Sequence, residues 1–112
     1  MIITHDTGGA LWEYIDNNLL TQGVVIDGEC GSACTVYLSN KKVCATQNAK
    51  MFFHRPYLLD AFGNKVFDEA QDRFYLAHLP PKVRVYVQKR GLSEDGWWVY
   101  STQVIAWVGE CK

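Results

Sequence analysis

Val24-Val25-Ile26-Asp27-Gly28-Glu29-Cys30-Gly31-Ser32-Ala33-Cys34-Thr35-Val36-Tyr37-Leu38 sets the architecture of the chain. Val24 to Ile26 is β-branched and continuously apolar, the pattern of a strand buried on both faces, as in a parallel sheet. Asp27 to Ser32 is rich in small residues and reads as a turn. Ala33 to Leu38 is apolar again and reads as a short helix. A buried strand, a turn and a helix in direct succession indicate an α/β layered fold with a mostly parallel sheet.

The neighbouring segments extend this pattern in both directions. Met1 to Thr4 is a short apolar run and reads as a strand. His5-Asp6-Thr7-Gly8-Gly9 reads as a tight turn or loop. Leu11, Tyr14, Ile15 and Leu19 recur at helical spacing, with Glu13, Asp16 and Asn17 on the polar face and Gly23 as the stop. Val43 to Thr46 reads as a strand, Gln47 to Ala49 as a turn, and Met51 to His54 as a further strand closed off by Pro56. Tyr57 to Asn64 reads as an exposed loop. Phe67, Ala70, Phe74 and Ala77 mark a helix ended by Pro80-Pro81. Val83, Tyr86 and Val87 line the next helix, capped by Gly91. Ser93 with Glu94 and Asp95 has the composition of a helix N-terminus, and the apolar tail, Trp97 to Val108, is expected to pack on the body.

With 112 residues, no repeat and no linker, the chain makes one domain, residues 1–112. A content of 48% hydrophobic and 13% aromatic residues supplies a core and excludes disorder. Eleven basic residues face 12 acidic ones, a net charge of −1, which leaves no electrostatic footprint for nucleic acid or an anionic membrane. No apolar run reaches the roughly 18 residues of a membrane span. Met1 to Gly9 shows no signal peptide. The sequence leaves the compartment open: cytoplasmic if the chain is complete, periplasmic or secreted if it is a truncated, disulfide-bonded piece.

Ser32 lies where the buried strand turns into the helix. Such a junction presents a hydroxyl and aims helix N–H groups at the same point, where they can stabilise an oxyanion. This is the logic of a nucleophile elbow, although the residues here are Cys30-Gly31-Ser32-Ala33-Cys34 rather than G-x-S-x-G. The commonplace alternative is that Ser32 caps the helix. His54 ends a strand, where ligands bind in parallel sheets, and could act as the base for Ser32. Its commonplace alternative is a structural histidine bonded to backbone.

Gly8-Gly9, the strand Val24 to Ile26, Gly28-Glu29-Cys30-Gly31-Ser32-Ala33-Cys34, Val43 to Ala49 and Met51-Phe52-Phe53-His54-Arg55-Pro56 occur in an order that resembles the proteolytic subunit of the Clp protease and its crotonase-fold relatives. The likeness is greatest to small Clp-protease-like proteins of bacteria with a Cys-x-Ser-Ala-Cys segment. It covers residues 3 to 56; from 57 to 112 only helical character and the Trp-rich end are similar. The resemblance implies a minimal, truncated form of that fold, with a β-hairpin ending in the catalytic histidine. It implies Ser32 as nucleophile and His54 as general base. The amide of Ala33, with one from Gly8 or Gly9, would form the oxyanion hole. The family's orienting acid comes late in the chain; here Glu94, Asp95 and Glu110 are the late acids, while Asp60, Asp68 and Asp72 are nearer to His54, and none sits in a recognisable motif. The chain is also too short to imply a ring-shaped chamber.

The four cysteines, Cys30, Cys34, Cys44 and Cys111, are either reduced thiols or two disulfides in one of three connectivities; a bend between strand and helix could permit Cys30 with Cys34, which would leave Cys44 with Cys111. A zinc site on Cys30, Cys34, Cys44 and His54 is the less typical alternative. His5-Asp6 reads as solvated surface, His78 as structural, and Trp97, Trp98 and Trp107 as core or interface anchors. Lys82, Arg84, Lys89 and Arg90 read as a solvated basic face.

The leading expectation is a serine hydrolase, peptidase-like, acting on a peptide or small acyl substrate through an acyl-serine intermediate and needing no metal or organic cofactor. The runner-up is a catalytically inactive relative that serves as a binding or assembly module, with the aromatics of residues 97 to 107 as a homo-oligomer surface. A third reading is a thiol-based zinc or redox module.

Overall fold

The structure, a computed structural model, describes residues 1–112. Strand β1 (Ile2–Asp6) leads through a glycine loop to helix α1 (Leu11–Leu20), then to β2 (Val24–Gly31) and a 3₁₀ helix (Ser32–Ser39). Two short strands follow, β3 (Val43–Ala45) and β4 (Lys50–Phe53), then a small hairpin of β5 (Leu58–Leu59) and β6 (Lys65–Val66). Helices α2 (Glu69–Ala77) and α3 (Pro81–Arg90), strand β7 (Trp97–Tyr100) and helix α4 (Ser101–Val108) complete the chain. The main sheet runs β1-β2-β4-β7, with β3 also paired to β2. All pairings of β2 are parallel, and only β7 runs antiparallel, against β4. The chain is therefore α/β with a mostly parallel sheet, as expected. No helix is long and apolar enough to cross a membrane.

β2 organises everything else. Its first half, Val24 to Ile26, pairs with β3, and its second half, Glu29 to Gly31, pairs with β4. Both partners run parallel to β2, one after the other, so β3 and β4 do not form the hairpin that the resemblance implies. Asp27 bridges the hand-over: its Oδ1 accepts from Thr46 Oγ1 at 2.6 Å and Asn48 Nδ2 at 3.0 Å. Those two bonds hold the Asp27 carboxyl below its usual titration range.

The turn expected over Asp27 to Ser32 is strand as far as Gly31. The small residues serve close approach rather than reversal. A Cβ on Gly28 would run into the backbone of Thr4, and the β1–β2 register is irregular between Ile3 and His5 at that level. β1 likewise continues through His5 and Asp6, which were expected in the loop; His5 Nδ1 pairs with Glu29 Oε2 across the strands at 3.3 Å. α1 stops at Thr21 rather than Gly23, and none of its residues is buried; Leu19, expected to face inward, is exposed.

The expected helix start at Ser93 to Asp95 is the entry to β7. Ser93 Oγ accepts the Gly96 N–H at 3.0 Å, and Gly96 has φ +78° where a Cβ would strike the Phe52 ring. Cross-strand aromatic pairs override the local helix signal: Phe52 meets Trp98 at 4.9 Å between centroids and Phe53 meets Trp97 at 5.1 Å. Tyr57 to Asn64, expected as a loop, contains β5 and the turn of the hairpin. α2 is capped by Asp68, whose Oδ1 accepts from Gln71 N–H at 2.7 Å, and its buried residue is Tyr75, while Phe74 is half-exposed.

The core gathers on the sheet around Ile26, Met51 and Phe53, with Val36 from the 3₁₀ helix, Val87 from α3 and Val104 from α4. Arg84 is not part of a solvated face: its guanidinium donates to the carbonyls of Leu76 and Leu79 at 2.9 and 3.0 Å, closing the end of α2. Arg90 lies 4.3 Å from the Trp97 ring centre. A disulfide joins Cys44 to Cys111, and Ala45 bridges Glu110, so the C-terminal segment is tied to β3.

Candidate active site

At the end of β2 the backbone turns through Ser32, with φ 57°. Five glycines share the left-handed half of backbone space, and Ser32 is the one residue with a side chain that does so. The turn is closed by a disulfide between Cys30 and Cys34, whose Cα atoms are 5.3 Å apart. Gly31 is the N-cap of the 3₁₀ helix and no side chain caps it, so Ser32 does not have the capping role that was the commonplace alternative. Its carbonyl accepts from Thr35 Oγ1 at 2.7 Å. Because Thr35 gives its proton there, the buried Tyr75 hydroxyl must be the donor in the short bond between Tyr75 and Thr35. Burial pushes the Tyr75 phenol far above its usual range, so it remains a donor.

The Gly8-Gly9 loop faces this elbow. Gly8 has φ +94°, and a Cβ there would stand 2.5 Å from Ser32 Cβ and 3.0 Å from the Ala33 nitrogen. Asp6 fixes the loop. Its Oδ1 accepts the Gly8 N–H at 2.9 Å and the Tyr14 hydroxyl at 2.7 Å. Of the two glycine amides, Gly8's is therefore occupied, whereas Gly9's makes no hydrogen bond. The Ala33 N–H lies in the first turn of the 3₁₀ helix, where no carbonyl of the helix can reach it. Asp6 is therefore not the solvated surface residue expected of His5-Asp6; the Asp-x-Gly spacing of a side-chain-to-backbone turn is the local signal for its role.

His54 follows the last residue of β4. Its Nδ1 lies 2.8 Å from the Arg55 carbonyl oxygen. A carbonyl carries no proton, so Nδ1 does, and in the neutral ring Nε2 keeps a free lone pair. Arg55 is itself held. Its N–H donates to the Ser93 carbonyl at 2.7 Å. Its Nε donates to Asp72 Oδ1 and Oδ2 at 3.1 and 3.0 Å, a bond that raises the guanidinium pKa above its ordinary value.

Ser32, Ala33, Gly8, Gly9 and His54 line one cavity of about 800 Å³. Leu11, Trp12, Leu58, Leu59 and Phe74 supply its apolar walls, and no Asp, Glu, Lys or Arg side chain lines it. No hydrogen bond joins Ser32 to His54, and no carboxylate touches His54. Each candidate acid is engaged elsewhere or exposed: Asp60 accepts the Phe62 and Asn64 amides, Asp68 caps α2, Asp72 holds Arg55, and Glu110 accepts from Gln47. Glu94 and Asp95 lie on the exposed approach to β7. All four cysteines are in disulfides, and no three His, Cys, Asp or Glu side chains are grouped to hold a metal ion. A second cavity of about 810 Å³ beside α1 contains Asn18, Ser39 and Asn40, whose polar groups largely satisfy one another.

His78 is structural, with Nδ1 on the Phe74 carbonyl at 2.8 Å. Trp97 and Trp107 pack on Phe53 and Tyr86. The more exposed apolar side chains are Ile2, Trp12, Leu19, Leu20, Leu59, Phe62 and, within the 97–107 segment suggested for an oligomer surface, Tyr100, whereas Trp97, Trp98 and Trp107 are half-buried. No protein-family model matches the chain, and no curated protein matches it.

Proposed function

We propose that this chain is a serine hydrolase, peptidase-like, with a minimal form of the Clp-protease and crotonase fold. The observation that carries the proposal is the left-handed Ser32 at a strand-to-helix junction, facing a cavity that also contains His54 with its Nδ1 proton committed. A residue with a side chain is held in this backbone region at a cost, and such outliers cluster at functional sites.

In the proposed reaction Ser32 Oγ attacks the carbonyl carbon of a peptide or small acyl substrate and gives its proton to His54 Nε2. The carbonyl oxygen becomes an oxyanion, accepted by the Ala33 and Gly9 amides. The tetrahedral intermediate collapses, and the leaving amine or alkoxide takes the proton from Nε2. Water then attacks the acyl-serine, losing a proton to Nε2; the second tetrahedral intermediate collapses, Ser32 Oγ takes that proton back from Nε2, and the acid is released. This chemistry requires no metal or organic cofactor. The Arg55 carbonyl fills the place that a carboxylate has in the usual triad: it fixes the tautomer but offers no negative charge to the imidazolium.

The test is labelling with a fluorophosphonate probe, with the site mapped by mass spectrometry in the parent chain, Ser32→Ala and His54→Ala. Labelling confined to Ser32 and dependent on His54 is the expected result. An unlabelled folded protein, beside labelled control enzymes, would reject the hydrolase. It would favour the binding or assembly module, a reading already suited to a His54 with no carboxylate partner.

A further inference from the structure

Resting on the hydrolase proposal, we infer that helix α2 is the positioning element of the site, acting on Ser32 through Tyr75 and on His54 through Asp72. The two residues are three positions apart, so they share one face of α2 and lie about one turn from each other. Neither is hydrogen-bonded to the Ser32 hydroxyl or the His54 ring, although Tyr75 also lines the cavity. Each reaches one of the two catalytic residues through a single intermediate.

The Tyr75 arm runs from the phenol to Thr35 and from Thr35 to the Ser32 carbonyl. It grips the backbone carbonyl of the residue whose φ is unusual. Both Thr35 and Tyr75 are buried, so water cannot replace either bond without opening the core. The Asp72 arm runs from the carboxylate to the Arg55 guanidinium, and from the Arg55 carbonyl to His54 Nδ1. Pro56 confines Arg55 to extended backbone. The Ser93 carbonyl holds the Arg55 amide, and the Asp72 clamp holds the side chain. Together these fix the direction of the one carbonyl that sets the His54 tautomer. The clamp is well covered, with side-chain exposures of 26% for Arg55 and 20% for Asp72, so solvent screens it less than a typical surface pair. Packing of Arg55 over the Phe67 ring, 5.4 Å from its centre, adds a further restraint.

The test uses the full chain labelled with ¹⁵N-histidine, with His54 assigned by its disappearance in His54→Gln. The expected parent spectrum shows neutral His54 protonated at Nδ1. Asp72→Asn, isosteric and uncharged, should move His54 toward the Nε2–H tautomer and slow fluorophosphonate labelling about 10- to 100-fold, since misplacement of about 1 Å costs on that order. Asp72→Glu keeps the charge and should recover part of both. Tyr75→Phe should slow labelling while leaving the tautomer unchanged, because its arm ends on Ser32.

An unlabelled parent with an Nδ1–H His54 that responds to Asp72→Asn would reject the hydrolase and keep the clamp. A labelled parent whose Asp72→Asn variant is folded, with unchanged tautomer and rate, would overturn the inference. If Asp72→Asn does not fold by circular dichroism, Arg55→Lys poses the same question, because lysine lacks the guanidinium that meets both carboxylate oxygens. An unchanged tautomer there would also overturn it.

Discussion

Replacing Gly8 by alanine tests the site where two segments meet. The new Cβ would lie 2.5 Å from Ser32 Cβ, 2.9 Å from the Gly31 oxygen and 3.0 Å from the Ala33 nitrogen. Non-bonded carbons rest about 3.5 to 4.0 Å apart, so the loop or the elbow must retreat by about 1 Å. Placing an L-residue at φ +94° adds about 1 to 2 kcal/mol of backbone cost. Oxyanion donors are effective only about 2.7 to 3.1 Å from the developing charge. A 1 Å retreat carries the Gly9 amide beyond that range, and the loss is about 100-fold in rate, or about 2.7 kcal/mol of transition-state stabilisation. Gly9 supplies the control. A Cβ there meets nothing nearer than Tyr14 Cε2 at 3.5 Å, an ordinary contact, and its amide is kept. The assay pairs urea unfolding with the rate of fluorophosphonate labelling at Ser32. With the overpacking cost of about 1 to 3 kcal/mol added, Gly8→Ala should lose about 2 to 5 kcal/mol of stability and label about 100-fold more slowly. Gly9→Ala should stay within about 0.5 kcal/mol and close to the parent rate. Equal behaviour of the two variants, or parent-like labelling by Gly8→Ala, would refute the proposed contact between glycine loop and elbow.

The disulfides should differ in their contributions. Cys44 and Cys111 are 67 positions apart, and removing that bridge with paired alanines should cost about 4 kcal/mol by the loop-entropy relation. Cys30 and Cys34 are 4 positions apart, and the same relation gives about 2 kcal/mol. Urea melts with thiol counting check this, and a larger loss from the short loop would sink the entropic account. Acid should loosen the β5–β6 turn. The amides of Phe62 and Asn64 hold the Asp60 carboxyl below its usual range, so its stabilising effect is present above the ordinary Asp value of about 3.9 and is lost as pH falls through and below it. Amide shifts of Phe62 and Asn64 followed from pH 6 to 2 report this; shifts that stay flat would count against the assignment.

The α/β class was legible because burial imposes its pattern directly on sequence. Val24 to Ile26 is buried or half-buried between two neighbouring strands, and only apolar residues suit that place. What escaped was decided across long distances. Trp97 to Tyr100 shows only as part of an apolar tail behind a helix-start composition at Ser93 to Asp95, because its strand character comes from Phe52 and Phe53, more than forty positions earlier. Gly28 looked like a turn residue because a glycine required by a neighbouring backbone and one required by a reversal are the same letter. Asp72 carried no local signal: its partner Arg55 is 17 positions away, and a carboxylate on a helix surface is ordinarily solvated. Ser32 and His54 could be picked out as candidates, because both sit at element ends where side chains leave the sheet, and they line the same cavity.

The backbone angle of Ser32, like the Asp72 clamp, is a part of the site that no pattern in the sequence reveals, and it carries the most weight. A helix cap needs extended backbone, which Gly31 already supplies with φ −120° and ψ 159°. Glycine would meet the left-handed requirement at position 32 without steric cost, as it does at Gly8, Gly63, Gly91, Gly96 and Gly109. A serine there costs about 1 to 2 kcal/mol and gains the fold nothing by capping. The surroundings nevertheless hold it firmly, with a disulfide across the turn, a buried hydroxyl chain on its carbonyl and Gly8 against its Cβ. Three independent restraints on an unfavourable residue are difficult to account for by stability alone. They are consistent with a hydroxyl that has to be presented in one direction, toward the cavity that His54 lines.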